Sequence, residues 1–510
     1  MISDYELDSI KTNREYKANA DALLIDVNGD TLYEGALKHI KTRGNSTFKR
    51  PKKPYAIKFF QKQSFLGLYR SKTFILLANY MDESYIRNAI AFDIAHMLDV
   101  PAPQYAYVSL YINGDYQGLY QMTNKVDFSR QWLDIQDLEE ENELVNPRKL
   151  NRYEPFIGEE KDGIVQQKGV LIENYPEDIT GGYLLDNSAL NWIYSNSKSG
   201  FVSNAGDEIR IKNPEHASRE EVEYITDIYN RMETAVLAAD GIHPITGVHY
   251  SEYLNIESFA RYYLINELLM NEDGGCVSFM TYKNSDTIDS LFYAGPIWDF
   301  DCSLNYPKRQ VYFCEPNEIY VGAKVGRFDE PHSGGLLYHL LRHEDFRDAV
   351  RTIWVNEMSA KCHEYIEDNR IGQLEQVLSY EAKLDNQLYH TLQSTNYHNA
   401  VTNAKDFLEQ RIAFFDWYWT TTANNMVDVV CAIVDGKPHQ RHVHFYYRLG
   451  EPIKTPKLLK EIKYNNDSLL TIRKNRDGTL VLDWRKPNQV EVLWRRLCKK
   501  AKKLTKLLSS

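Results

Sequence analysis

Residues 255–305, NIESFARYYLINELLMNEDGGCVSFMTYKNSDTIDSLFYAGPIWDFDCSLN, constrain the fold more than any other stretch. Asn255 can cap a helix, and Phe259, Tyr262, Tyr263, Leu268 and Leu269 recur at helical spacing after it. The polar cluster Asn271-Glu272-Asp273 and then Gly274-Gly275 stop that helix. Two runs follow that read as strands, 277–282 and 291–297, with a polar turn between them. The second run leads into Trp298-Asp299-Phe300-Asp301. One carboxylate thus sits at a helix end and two more at a strand end, with the chain doubling back between them. Acids at alternate positions on a rigid base can hold Mg²⁺ beside a phosphate, because hard cations take carboxylate oxygens. The same residues also read as a helix, a hairpin and solvated surface acids, and a bare DxD does not separate the two.

A chain of 510 residues, 43% hydrophobic and 13% aromatic, can bury a large core, and two domains are expected. No run approaches the 18 apolar residues of a membrane span, and MISDYELDSIKTN lacks the pattern of a secretory signal. The six cysteines are scattered without a CxxC pair, which suits a reducing compartment. A cytoplasmic location follows as the expectation. Net charge is −11, although residues 494–510 carry seven Lys or Arg and no acid. The rest of the chain is therefore more acidic still, which argues against a nucleic-acid partner. Residues 491–510 form a basic amphipathic pattern. They suit either peripheral contact with an anionic membrane at its inner face or a helix docked on the acidic body.

The first 60 residues alternate like strands at 22–27, 36–44 and 53–60, with Asn28-Gly29-Asp30 as a turn. In the third run Lys58 shares a face with Ala56 and Phe60, as a cleft-lining lysine or one snorkelling from a strand. The loop Arg43-Gly44-Asn45-Ser46-Thr47 can present donors to an anion or simply turn the chain. Residues 82–98 read as an amphipathic helix capped by Asp82 or Ser84. The runs YAYVSLYI and YQGLYQM flank Asn113-Gly114, a hairpin signal. Residues 136–180 are polar and acidic and read as a long insertion. Further strands are expected at 181–186 and 208–215, the latter carrying Lys212, and Ser218 with Glu221 makes a capping box. Helical patterns fill 335–420, and short strands fill 425–490.

Several of these pieces together resemble the CotH kinase family. They are RGNST at 43–47 with KKPYAIKF at 52–59, LLANYMDESYIRNAIA at 76–91, INGDYQGLYQMTNKVD at 112–127, GGYLLD at 181–186, FARYYLINELLMNED at 259–273 and GPIWDFD at 295–301. The resemblance covers roughly residues 15–420. It implies an α+β, atypical two-lobed protein-kinase-like fold, with a β-rich N-terminal lobe and a helical C-terminal lobe. The kinase domain would be 1–424, followed by a small all-β appendage at 425–490 and a terminal amphipathic helix at 491–510. It implies ATP and Mg²⁺ as cofactors and transfer of the γ-phosphate to a hydroxyl on a protein or cell-envelope glycan acceptor. The other reading is a weak pseudokinase acting as a scaffold. Carried onto this chain, Lys58 would contact the nucleotide phosphates, with Arg43 and Lys212 adding charge. Asp273 would be the catalytic aspartate, Asp299 would hold the metal and Asp301 would assist. Where the family usually has a Glu after the hairpin, this chain has Asn124.

Overall fold

The computed structural model describes residues 2–126, 132–187, 194–271, 273–275, 277–305, 315–321, 335–390, 396–422, 425–433, 441–449, 469–474 and 480–485. Their order is sheet-rich first and helical second, an α+β arrangement. The first large sheet has five antiparallel strands, in the order His39–Thr42, Tyr55–Gln63, Ser71–Leu77, Asp115–Asn124 and Tyr105–Ile112. The last two are joined by Asn113-Gly114 at φ 54° and 91°, the left-handed pair that a tight two-residue hairpin turn requires. One face of this sheet buries Ile40, Tyr55, Phe59, Phe74, Leu76, Tyr120 and Met122 in a core of its own.

The second large sheet has seven antiparallel strands, ordered Phe292–Ala294, Met280–Lys283, Tyr183–Asp186, Glu208–Asn213, Ser199–Val202, Gln167–Val170 and Pro155–Ile157. Helix Arg219–Leu237 starts at the expected capping box, with Ser218 and Glu221 each bonding the other's backbone. Helix Ile256–Leu268 has Asn255 as its N-cap, as its sequence predicts. Both helices join the principal core with Arg87–Met97 and the later helices, among them Arg370–Tyr389 and Tyr397–Tyr418. Among the described residues, no helix is long and apolar enough to cross a membrane.

Four details differ from the sequence reading. The turn at 28–30 joins Asp21–Ile25 to Thr31–Ala36, a strand the alternation pattern did not reveal because it is mostly exposed. The helix read from 82 starts at Arg87, because the Asp82 carboxylate accepts the backbone N–H of both Ser84 and Arg87 in a turn of its own. The polar stretch 136–180 contains helix Leu138–Val145, and two of its short strands, Pro155–Ile157 and Gln167–Val170, belong to the seven-stranded sheet. The C-terminal strands Met426–Ile433, Arg441–Arg448, Leu469–Lys474 and Leu480–Arg485 do not form a sheet by themselves. Glu318–Ile319 pairs onto the edge at Arg441–Arg448. The tail at 491–510 lies outside the described residues.

Candidate active site

The cavity of interest, about 400 Å³, opens between the two large sheets. Its first wall is the five-stranded sheet's face opposite the core of Tyr55 and Phe74, at Arg43, Pro54 and Leu77, with the loop Gly44-Asn45-Ser46-Thr47 beside it. Gly44 has φ 87°, and a Cβ there would meet Thr47 Oγ1 at 2.1 Å, so the turn is closed to larger residues. Arg14 secures the loop from outside by donating to Asn45 Oδ1 at 2.8 Å. The second wall comes from the seven-stranded sheet. Asp186 pairs with Arg210 on one side and Met280 on the other, so the three side chains form one row across three strands.

The acids enter from the third side. Asp273 lies just past helix Ile256–Leu268, in a turn where its N–H donates to Asn271 Oδ1 at 3.3 Å and its carbonyl accepts from Val277 N at 2.9 Å. The WDFD segment does not continue the strand; that strand ends at Ala294. Instead it is stitched down by others. Ile297 N donates to Pro101 O at 2.8 Å, Phe300 N to Asn88 Oδ1 at 2.8 Å, and Leu304 N to Leu269 O at 2.8 Å. Arg87, itself paired with Asp82, donates through Nε to Ser303 O at 2.8 Å. Phe300 is fully buried, so Asp299 and Asp301 on either side of it turn to the cavity. Asp299 sits at φ 71°, a region L residues seldom occupy, and its Oδ2 accepts from the Ser278 hydroxyl at 3.0 Å. Burial, then Asp299, Asp273 and Asp82, push the Asp301 carboxyl well above the usual carboxylate range. Three carboxyl groups, of Asp273, Asp299 and Asp301, crowd this end of the cavity.

Cations face them. The Arg43 guanidinium lies 5.5 Å from the centre of the Trp298 ring; burial lowers its pKa and Asp299 raises it again. Arg210 pairs with Asp186. Lys212 donates to Met280 Sδ at 3.2 Å. Burial first, with Arg210, Lys125 and Arg43 adding to it against Asp186, lowers the Lys212 ammonium to about 7. Of the residues singled out from sequence, Arg43, Lys212, Asp273, Asp299 and Asp301 line this one cavity and Lys58 does not. Lys58 is on the same sheet face as Arg43 but two rows further out, opposite His39 and Thr73. Asn124 is also elsewhere. Its amide is used in both directions by one backbone unit, accepting from Tyr69 N at 3.1 Å and donating to Tyr69 O at 2.7 Å.

Sequence reasoning missed four participants: Asp186, Arg210, Ser278 and Asn88. Asp186 closes the GGYLLD motif and Arg210 stands two positions before Lys212, so alternation could have found both. Nothing local marks Ser278 or Asn88.

The donor set fits Mg²⁺. It is all oxygen on the acidic side, and buried Asp186 Oδ1 has no hydrogen-bond partner. The cavity acids do not close into a tight cage. The described set whose ligand atoms all lie within 4.8 Å of one another is Glu139, Glu215 and His216, where Glu139 Oε1 simply bonds His216 Nδ1 at 3.3 Å. An open arrangement is what Mg²⁺ uses when phosphates and water complete its shell around one or two carboxylates.

A model of the family described as CotH kinase protein matches residues 40–415. The chain belongs to the CotH kinase family. The match takes in every cavity residue discussed above and stops before the C-terminal strands. A search of curated proteins gave no significant match. Family membership indicates a kinase-type enzyme, and a cavity with cations at one wall and carboxylates at the other is coherent with that chemistry.

Proposed function

We propose that this CotH kinase family member transfers the γ-phosphate of ATP, with Mg²⁺, to a hydroxyl of a protein or cell-envelope glycan acceptor. The observation that carries the reading is the opposition, within one cavity, of Arg43, Arg210 and Lys212 to Asp273, Asp299 and Asp301. A polyphosphate needs cations on its oxygens, and phosphoryl transfer needs positioning more than covalent chemistry. In this reading the sheet-rich and helical regions act as the two lobes of an atypical kinase, with the nucleotide between them.

Arg43 and Lys212 take the phosphate oxygens, the role sequence reasoning gave to Lys58. Asp299, held by Ser278, and Asp301 are the metal ligands. Mg²⁺ bound there screens the charge on the phosphates. Asp273 orients the acceptor hydroxyl and accepts its proton as the new oxygen–phosphorus bond forms and the bond to the β-phosphate oxygen breaks, with ADP leaving. Asn124 removes no ligand from the cavity, because its amide is already spent on Tyr69.

The test is thermal denaturation of the full chain with millimolar ATP and Mg²⁺. Binding to the native state must raise the midpoint. No upshift would remove the nucleotide from the account. An upshift without phosphate transfer to any acceptor would favour a nucleotide-binding scaffold.

A further inference from the structure

The sheet face that floors the cavity does not end there. Arg43 N donates to Pro54 O, and beyond this row Lys41 pairs with Ala56 and Ala56 with Ile75. In the next row His39 pairs with Lys58 and Lys58 with Thr73, whose carbonyl accepts from Lys125 N at 3.3 Å. Alternation puts these side chains on the face opposite the buried Tyr55, Phe59 and Phe74. Lys17, Lys38 and Lys72 surround the same rows. Lys38 N donates to Lys58 O, and Lys17, Lys38, Lys72 and Lys125 all add like charge to burial in lowering the Lys58 ammonium. Burial together with Lys17, Lys58, Lys41 and Lys38 holds His39 at about 4, so it is neutral near pH 7.

Six lysines thus gather in a protein of net charge −11. Among the described residues, only Lys41 of the six has an ion pair, with Glu15 at 3.9 Å, and Glu215 also acts on it. Lys17, Lys38, Lys72 and Lys125 are exposed. Lys125 also acts on Lys212, so the positive field runs from the cavity outward without a break. Like charges held this close with so few counter-charges await an anion.

We infer that this face is an acceptor-docking track, on which an extended acidic polypeptide segment lies and leads its neighbouring hydroxyl into the cavity. The inference rests on the phosphotransferase reading for the hydroxyl alone; the binding stands separately. Same-face positions along a strand repeat at about 6.7 Å, and same-side residues of an extended peptide repeat at the same spacing. From the Arg43 row to the Lys58 row is about 13 Å, or roughly four peptide residues. Acidic positions therefore fall about four or more residues from the accepting hydroxyl. A duplex or a bilayer presents a broad negative surface that the acidic body would repel, whereas a single extended segment meets only the lysines.

The probe is a fluorescein-labelled peptide with alternating glutamates to one side of a single serine, beside its glutamine counterpart. Anisotropy is read on the full chain at low salt. The glutamate peptide should bind about tenfold more tightly than the glutamine one, as several exposed charge pairs together supply. The double variant Lys38→Glu/Lys72→Glu should lose that preference, and Lys38→Gln/Lys72→Gln, gentler on the fold, should lose most of it with an unchanged melting midpoint. Equal binding of the two peptides, or an undiminished preference in both variants, overturns the track. Tighter, lysine-dependent binding of a single-stranded oligonucleotide or of anionic vesicles overturns the polypeptide as its occupant. With phosphate transfer as readout, the variants should raise peptide KM at constant kcat. Lysine-dependent peptide binding without any transfer would leave the track in place and count against the phosphotransferase reading instead.

Discussion

The Ser278 hydroxyl donates to Asp299 Oδ2 at 3.0 Å, and both residues hold left-handed backbones, at φ 55° and 71°. Two non-glycine residues in that region, bonded to each other at the wall of a cavity, are strain kept where a side chain must be aimed. Ser278→Ala removes one hydrogen bond to a charged group, worth about 1.5–3 kcal/mol. Phosphate transfer should fall roughly 10- to 100-fold with the fold intact. Steady-state kinetics beside a circular-dichroism melt checks this; wild-type activity in Ser278→Ala would separate the hydroxyl from the chemistry.

The two candidate lysines make opposite predictions. Lys212 lines the cavity and Lys58 does not. Lys212→Met should raise the KM for ATP roughly 10- to 100-fold, the value of one charged contact. Lys58→Met should leave the KM for ATP near wild type. The reverse pattern, read by varying ATP at saturating acceptor, would return the phosphate contact to Lys58.

Asn124 predicts a change in stability rather than in activity. It is 1% exposed and clasps Tyr69 through both amide atoms. Asn124→Glu restores the acid usual in the family but replaces the donor to Tyr69 O with a second acceptor. Urea denaturation should show a loss of about 1–3 kcal/mol, the cost of buried polar groups left unmatched. A gain in transfer activity would instead place an acid at 124 in the site.

Acidity at a buried position gives a pH dependence. Burial pushes Glu233, which accepts from Ser203 and from Ala205 N, to about 7 from an ordinary 4.5. The folded chain therefore keeps this proton between pH 4.5 and 7 while the unfolded chain releases it. Stability from this group is fullest below pH 4.5 and falls as pH rises through 7. The loss reaches about 3 kcal/mol at most. Unfolding free energies at a series of pH values should show a steeper fall over this window for wild type than for Glu233→Gln. Parallel curves would contradict it.

What the sequence made legible was mostly local chemistry. The Asn113-Gly114 hairpin, the Ser218–Glu221 capping box and the Asn255 cap each depend on residues within a few positions, and each is found where its pattern places it. The cavity acids were legible because a short motif carries them. What escaped depends on distant partners. Asp82 looks like a helix cap but is bound up with Arg87, which reaches on to Ser303. The WDFD segment resembles a strand end, yet its backbone is held by Asn88, Pro101 and Leu269. Alternation put Lys58 on the right face of its strand. It could not say how many rows the cavity spans, which depends on where the second sheet meets the first. Glu318–Ile319 could not be assigned from sequence either, since its partner strand, Arg441–Arg448, lies more than a hundred positions away.

The central claim is that the two walls of one cavity hold a nucleotide for transfer. Its most direct measurement is incubation of wild type and Asp299→Asn with γ-labelled ATP, Mg²⁺ and candidate acceptors. Asp299→Asn keeps the shape and a hydrogen bond from Ser278 but removes the charge. Label should pass to an acceptor with wild type and fall by at least about a hundredfold with Asp299→Asn, the usual scale for losing a group that stabilises developing charge. Equal labelling by the two proteins would contradict the account.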